Sequence, residues 1–369
     1  MKKIDQNNIF IAGGGTGGHL FPALAIGDFL KKDGMNIIYI GSKHGVENNY
    51  FKKNNIHAEL LDIKGIQRNL SLKSIIKNLY FPIRFIKSYI ASRKLIKKFN
   101  PKIIIGTGGY SSGLPILAGI HMKVPTMIQD QNSVPGLITK KLYKKVNLIC
   151  LAYETAKKYI KTDNAVLTGN PIRQSLKPID KIKAKQKLGL NINKKTIFIL
   201  GGSQGSQVIN NHIYKNIKYY DNQKFQLFLQ CGENNFKSIP KEIIQSKNII
   251  IEKFIKNMSV VYSAADLVVS RAGALAISEL CYMGKAMILI PFRFAADNHQ
   301  ELNANEIQNN KACIKINECE LSTGILETII EKILNEPNEV KLLEHNATSI
   351  SRKDSTEQII KHINRVINE

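Results

Sequence analysis

The 369-residue sequence predicts an α/β protein of two doubly wound, Rossmann-like domains facing a cleft, on three observations. Apolar runs of strand length lead directly into glycine-rich turns and then into helical periodicity, and this unit occurs three times, starting at residues 8, 102 and 195. Two copies fall in the first half, and the third restarts the pattern in the second. Elsewhere strand-sized and helix-sized segments alternate, the order that builds parallel sheets covered on both faces. Length agrees, since a chain of this size with 43% hydrophobic residues favours two domains of ordinary size over one core.

The first unit, NIFIAGGGTGGHLFPALA, organises the chain. Ile9, Phe10 and Ile11 form the strand, and Gly13, Gly14, Gly15, Gly17 and Gly18 leave backbone amides uncovered. Residues 20–30 carry apolar side chains at helical spacing, so a helix N-terminus aims unpaired amides and a positive dipole end at the loop, which predicts an anionic occupant. His19 stands at that mouth. From the local pattern alone it reads as a helix-start histidine satisfied by backbone. The glycine spacing also fits a dinucleotide fingerprint, but the next strand, 36–40, ends in Gly41 and Ser42 where a ribose-binding acid belongs. That argues against a nicotinamide cofactor.

A further strand at 57–63 is followed by a change of charge. Residues 63–153 hold sixteen lysines and arginines against the single acid Asp130, a large part of the net +24. The stretch faces an anion, unless each lysine only reflects a Lys-, Ile- and Asn-rich chain. Within it, residues 69–100 place Leu72, Ile75, Ile76, Leu79, Ile83, Ile86 and Ile90 at helical spacing, and Pro82 starts or kinks a helix. Lys73, Lys77, Arg84, Lys87, Arg93, Lys94, Lys97 and Lys98 lie around them, with Tyr80, Phe81, Phe85 and Tyr89 interleaved. Two readings stand: a core-facing helix with a solvated basic back, or a surface that rests on anionic lipid. On the second, Leu79, Phe81, Ile83 and Phe85 form an apolar patch rimmed by Arg84 and Lys87.

The second unit, KIIIGTGGY, offers another anion nest at Gly106, Thr107, Gly108, Gly109 and Tyr110. A buried strand at 125–129 then runs into QDQNSVPG, whose Gln129, Gln131, Asn132 and Ser133 belong at a strand end lining a crevice. Strands at 146–151 and 164–167 complete a domain ending at residue 170, where Gly169, Asn170 and Pro171 break both periodicities. A second domain spans 171–345. Its opening unit, KTIFILGGSQGSQV, presents Gly201, Gly202, Ser203, Gln204 and Gly205; strands at 225–230 and 248–252 follow, the latter leading into FIKNM. The strand at 264–270 ends in Arg271, Ala272 and Gly273, and the helix after it carries Glu279 in its second turn. An acid there either accepts the two hydroxyls of a ribose or simply meets water. The last core strand, 286–291, leads to the polar cluster Asp297, Asn298, His299 and Gln300. From residue 346 an amphipathic helix with Ile359, Ile360, Ile363 and Val366 ends the chain.

No stretch approaches the ~20 apolar residues that span a bilayer, and no secretory signal is visible, so a cytoplasmic protein is expected. Cys150, Cys231, Cys281, Cys313 and Cys319 are odd in number and lack paired spacing, which predicts reduced thiols and no metal site.

The motifs GGGTGGH, GTGGYSSG, QDQNSVPG, GNPIR, GGSQGS, FIKNM, SRAGALAISE and AADNHQELNA, in that order along nearly the whole chain, resemble the MurG family, the peptidoglycan N-acetylglucosaminyltransferases. The resemblance implies a GT-B fold whose final helix, 346–369, crosses back to the first domain. It implies inverting, metal-independent transfer of GlcNAc from UDP-GlcNAc to lipid I, the muramoyl-pentapeptide diphospho-undecaprenol carrier, giving lipid II, with no cofactor. The family's donor contacts fall on Thr16, Gly17, Gly18, Asn132, Arg173, Ser203, Ile255 and Gln300; Glu279 fits the ribose and His299 a sugar hydroxyl. His19 becomes the base, and the second nest at Gly106 to Tyr110 the acceptor-diphosphate site. An enzyme on such a carrier works peripherally on the cytoplasmic face of the cell membrane, beside an anionic surface, with other cell-wall synthesis proteins as partners. FIKNM departs mildly, with Asn257 where an acid often stands, which removes any charge there and leaves the backbone contact to uracil. A GT-B hexosyltransferase with another acceptor and a UDP-GlcNAc epimerase are the competing enzymes. A basic nucleic-acid binder is disfavoured, because the aromatics lie in an amphipathic stripe and three phosphate nests exceed its needs.

Overall fold

A computed structural model describes residues 7–65, 79–221 and 224–368. The chain divides into two compact units, Met1–Gln174 with Asp354–Glu369, and Ser175–Lys353.

The first unit is built on a seven-stranded parallel sheet: β1 (Asn8–Ala12), β2 (Asn36–Ser42), β3 (Ala58–Leu61), β4 (Ile103–Gly106), β5 (Thr126–Asp130), β6 (Leu148–Leu151) and β7 (Ala165–Leu167), in the order β3-β2-β1-β4-β5-β6-β7. Strands covered on both faces must be apolar throughout, and β1, NIFIA, is buried at every position. Its register pairs Ala12 with Ile40 on one side and with Gly106 on the other. The chain order reverses at β1, so the loops leaving β1 and β4 diverge at the switch point where open α/β sheets hold ligands.

The second unit repeats the plan with six parallel strands: β8 (Lys195–Leu200), β9 (Phe225–Gln230), β10 (Ile249–Glu252), β11 (Leu267–Ser270), β12 (Met287–Leu289) and β13 (Ile314–Lys315), in the order β10-β9-β8-β11-β12-β13. Here the reversal falls at β8, between the loops leaving β8 and β11.

The helix Phe81–Phe99 begins with Pro82 in its first turn and closes on Asn100 in the left-handed conformation. Its inward face carries Ser88, Ser92 and Ile96, against the helix Tyr110–His121. The small serines permit close approach, and Tyr89 meets His121 through its hydroxyl at 2.7 Å. The apolar stripe therefore faces outward: Leu79, Ile83, Ile86 and Ile90 are 71%, 51%, 57% and 47% exposed. This excludes the core-facing reading for those four residues. The upstream part of the stripe, Leu72, Ile75 and Ile76 with Lys73 and Lys77, lies outside the described residues.

Residue 346 does not start the last helix. It belongs to the helix Pro337–Ser349, which packs in the second unit, and the terminal helix is Ser355–Asn368. A break is needed because the terminal helix belongs to the first unit. There Ile359, Ile360 and Ile363 join Ile9, Ile11 and Leu20 in one core, each contributing about 1.5–3 kcal/mol by burial. The Thr356 hydroxyl accepts the Ile172 N–H at 2.9 Å. No helix among the described residues is long and apolar enough to cross a membrane.

Candidate functional site

In the first unit the loops leaving β1 and β4 interlock. Thr107 donates its hydroxyl to the His19 carbonyl at 2.7 Å, and Thr16 Oγ1 lies 3.2 Å from His19 Nδ1. The His19 ring rests on the second loop so closely that a Cβ at Gly108 would come within 2.7 Å of its Cδ2. At Gly109, φ +72° and the adjacent Gly14 carbonyl admit only glycine. His19, Thr16, Gly17, Gly18 and the Gly106–Tyr110 loop are thus one cluster, with Thr16 and Gly18 exposed and His19 half-buried.

The loop after β5 is tied into the same cluster. Gln131 donates from Nε2 to the Thr107 carbonyl at 2.8 Å, and Asn170 donates to the Gln131 carbonyl at 3.1 Å. Asp130 is the organiser: its carboxyl accepts from the Gly136 N–H at 2.9 Å, the Asn132 N–H at 3.3 Å and the Thr139 hydroxyl. Burial nevertheless pushes the Asp130 carboxyl above the ordinary range. The lone acid of the basic segment is therefore a loop brace, and it presents Asn132 half-exposed. Arg173 lies with its guanidinium 5.1 Å from the centre of the Phe21 ring, on the helix Gly17–Lys32.

One expectation for the opening loop is corrected. Its Gly15 amide does not await an external anion, because Glu47 Oε2 accepts that N–H at 2.7 Å. The uncovered amides predicted from glycine content are partly filled by an internal carboxylate from the helix Val46–Lys53.

In the second unit the loop Gly201–Gly205 leads into the helix Gln207–Lys215, capped by Ser206, whose hydroxyl oxygen accepts from the Ile209 N–H. Ser203 and Gln204 are exposed. Arg271, at the end of β11, is buried beneath this loop. It donates to Ser206 Oγ at 2.7 Å, Glu318 Oε1 at 2.6 Å and the Ile290 and Pro291 carbonyls at 3.2 and 3.1 Å. Gln230, at the end of β9, spans two loops: Nε2 donates to the Gly202 carbonyl and Oε1 accepts the Ile255 N–H, both at 2.9 Å. The Ile255 amide is thereby engaged within the protein. Glu279, in the helix Ala274–Tyr282, is only 3% exposed and accepts from the Tyr262 hydroxyl at 3.2 Å. That disposes of the solvated-acid reading. Gln300 Oε1 accepts the Phe292 N–H at 3.0 Å, and His299 Nδ1 lies 2.6 Å from the Ala296 carbonyl.

Sequence reasoning missed the supporting groups Glu47, Gln230 and the bracing role of Arg271, since each acts on a partner distant in sequence. The cysteines are free, with Cys319 alone exposed. Burial pushes the thiols of Cys150, Cys281 and Cys313 up to about 12, which makes them poor nucleophiles.

The fold and sequence have clear matches among known proteins. Residues 9–150 match the glycosyltransferase family 28 N-terminal domain and residues 196–363 its C-terminal domain. A Flavobacterium psychrophilum protein named UDP-N-acetylglucosamine--N-acetylmuramyl-(pentapeptide) pyrophosphoryl-undecaprenol N-acetylglucosamine transferase is 36% identical over 368 residues, 99% of each chain. A Bacillus thuringiensis protein of the same name, numbered 1, is 33% identical over 364 residues, 97% of this chain and 99% of its own. The crystal structure of Acinetobacter baumannii MurG superposes with a TM-score of 0.74 at 23% identity, covering 97% of this chain and 99% of that one, a likeness of fold. The chain therefore belongs to glycosyltransferase family 28 and, within it, to the family of the pyrophosphoryl-undecaprenol N-acetylglucosamine transferases.

Proposed function

We propose that this protein transfers GlcNAc from UDP-GlcNAc to the muramoyl-pentapeptide diphospho-undecaprenol carrier, lipid I, with inversion, giving lipid II. The observation that carries the reading is the cluster at the first switch point, where an imidazole lies on a glycine nest suited to a diphosphate. It is supported by relatives of that name over nearly the full chain. His19 takes the proton of the acceptor hydroxyl; the acceptor oxygen bonds to the anomeric carbon as its bond to the UDP oxygen breaks. The departing diphosphate is stabilised by the amides of the Gly201–Gly205 loop, the dipole of the Gln207–Lys215 helix and Arg173, without a metal ion or other cofactor. Donor contacts are assigned to Thr16, Gly17, Gly18, Asn132, Arg173, Ser203, the Ile255 carbonyl, Glu279 for the ribose, and His299 and Gln300 for the sugar. The loop Gly106–Tyr110 is assigned to the acceptor diphosphate. Turnover of radiolabelled UDP-GlcNAc with a lipid I analogue, in the presence of chelator, tests this; no transfer, or strict dependence on added metal, refutes it.

The same reading makes the enzyme peripheral on the cytoplasmic face of the cell membrane, where other cell-wall synthesis proteins are its expected neighbours. Leu79, Phe81, Ile83 and Phe85, with Arg84 and Lys87 beside them, supply a shallow apolar contact and a basic rim. Each cation near an anionic leaflet contributes ~1 kcal/mol, so binding to anionic vesicles should weaken as salt rises. Phe81→Ser with Phe85→Ser should release the protein while UDP binding persists. Wild-type protein that ignores anionic vesicles at low salt in sedimentation would remove this assignment.

A further inference from the structure

Glu47 is fully buried and sits in the first turn of the helix Val46–Lys53. Its two oxygens take two backbone amides, one in the first glycine loop and one at the end of β2: Oε2 accepts the Gly15 N–H at 2.7 Å and Oε1 the Ser42 N–H at 2.8 Å. Two amide donors are what a carboxylate this deeply buried requires. The chain is shaped to admit it, for a Cβ at Gly14 or Gly45 would overlap the carboxyl and one at Gly41 its Cγ. Gly14, in turn, carries the carbonyl that packs on Gly109 beside His19. The carboxylate thus locks the backbone immediately before Thr16 and His19 to the end of β2, while Thr107 holds His19 from the other side.

We propose that Glu47 is a positioning residue of the transfer reaction: an internal anion that occupies the first glycine loop, fixes the His19 backbone and leaves the second loop, Gly106–Tyr110, to take the acceptor diphosphate. The proposal rests on the transfer reading above. It assigns Glu47 no contact with substrate and no proton. A glutamine of the same shape has one acceptor oxygen, so it satisfies one amide and turns an NH₂ on the other. Displacement of a reacting group by a fraction of an ångström to an ångström costs up to about a hundredfold in rate.

The test uses full-length protein carrying Glu47→Gln or Glu47→Ala. The expected result is a kcat lower by about ten- to a hundredfold, with the donor KM and the UDP dissociation constant within about twofold of wild type. Formate, a carboxylate small enough for the vacated space, should restore part of the Glu47→Ala turnover, whereas chloride should not. Formate should also raise the melting temperature of Glu47→Ala and leave that of wild type unchanged, a readout independent of turnover. Wild-type kcat in Glu47→Gln overturns the proposal. So does a loss of turnover that follows loss of folded protein and of UDP binding, with no response to formate. If wild type itself transfers nothing, the transfer reading has failed; the formate melting shift then still reports whether the loop is held by an internal anion.

Discussion

The first and third glycine turns carry the same sequence signature and differ in what fills them. Gly13–Gly18 is closed from within: the Glu47 carboxylate takes the Gly15 amide, and Thr107 takes the His19 carbonyl. Gly201–Gly205 is braced from beneath, by Arg271 through the Ser206 cap and by Gln230 through the Gly202 carbonyl, and its tip at Ser203 and Gln204 stays exposed. An occupied nest repels a second anion, whereas an open helix N-terminus attracts one. Glycine content alone therefore says that backbone amides are accessible. The polar group nearest them decides whether they bind a ligand or hold a side chain in place.

Under the proposed function the first turn serves proton transfer and the third binds the diphosphate, and substitutions should separate the two. His19→Ala should have the largest effect, lowering kcat by about 10²- to 10⁴-fold, the range of a lost general base, with UDP affinity intact. Steady-state kinetics alongside calorimetry with UDP check it, and near-normal turnover would return His19 to a structural role. Arg271→Leu should come next, leaving the Glu318 carboxylate buried without its partner at 2.6 Å. Removing one member of a buried ion pair costs about 3–5 kcal/mol, read as a lower urea midpoint together with weaker UDP binding. Because the remaining charge causes the loss, adding Glu318→Leu should recover much of the stability. A single variant as stable as wild type would show that the third turn stands without its brace.

Much of this was legible in the sequence, for physical reasons that also mark where legibility ends. A parallel strand buried on both faces is an unbroken apolar run, so β1, β4, β5, β8 and β11 and the turns after them can be read from local pattern. Periodicity also revealed the stripe through Ile83, Ile86 and Ile90, but spacing cannot say which side of a helix meets the core. Ser88 and Ser92, polar yet small, are what pack inward. The terminal amphipathic pattern likewise hid a break after Ser349, because one run of helical spacing served two helices in different units. Glu47, Gln230 and Arg271 escaped for another reason. Each is a single polar residue whose meaning depends on an amide or carbonyl brought near only by the completed sheet, and the Glu47 partner at Gly15 is 32 residues away.

Glu279 gives the smallest effect and the sharpest view of the third turn. Its helix is capped by Gly273 beside the second switch point, and its carboxyl is buried with one oxygen accepting from Tyr262 at 3.2 Å. A buried carboxylate is a strong acceptor for a ribose hydroxyl, and charge-assisted hydrogen bonds contribute about 1.5–3 kcal/mol. Glu279→Ala should therefore weaken UDP by about ten- to a hundredfold in calorimetry. Tyr262→Phe removes only the internal donor, so it controls for disturbance of the helix and should leave UDP binding within about threefold of wild type, less than 1 kcal/mol. Gln300→Ala should lower the preference for UDP-GlcNAc over other UDP-sugars and leave UDP itself nearly unaffected. If Glu279→Ala binds UDP as wild type does, the acid only supports Tyr262 and the ribose is held elsewhere. Equal losses for Glu279→Ala and Tyr262→Phe would show that the pair acts through the position of its helix and that Glu279 makes no ribose contact of its own.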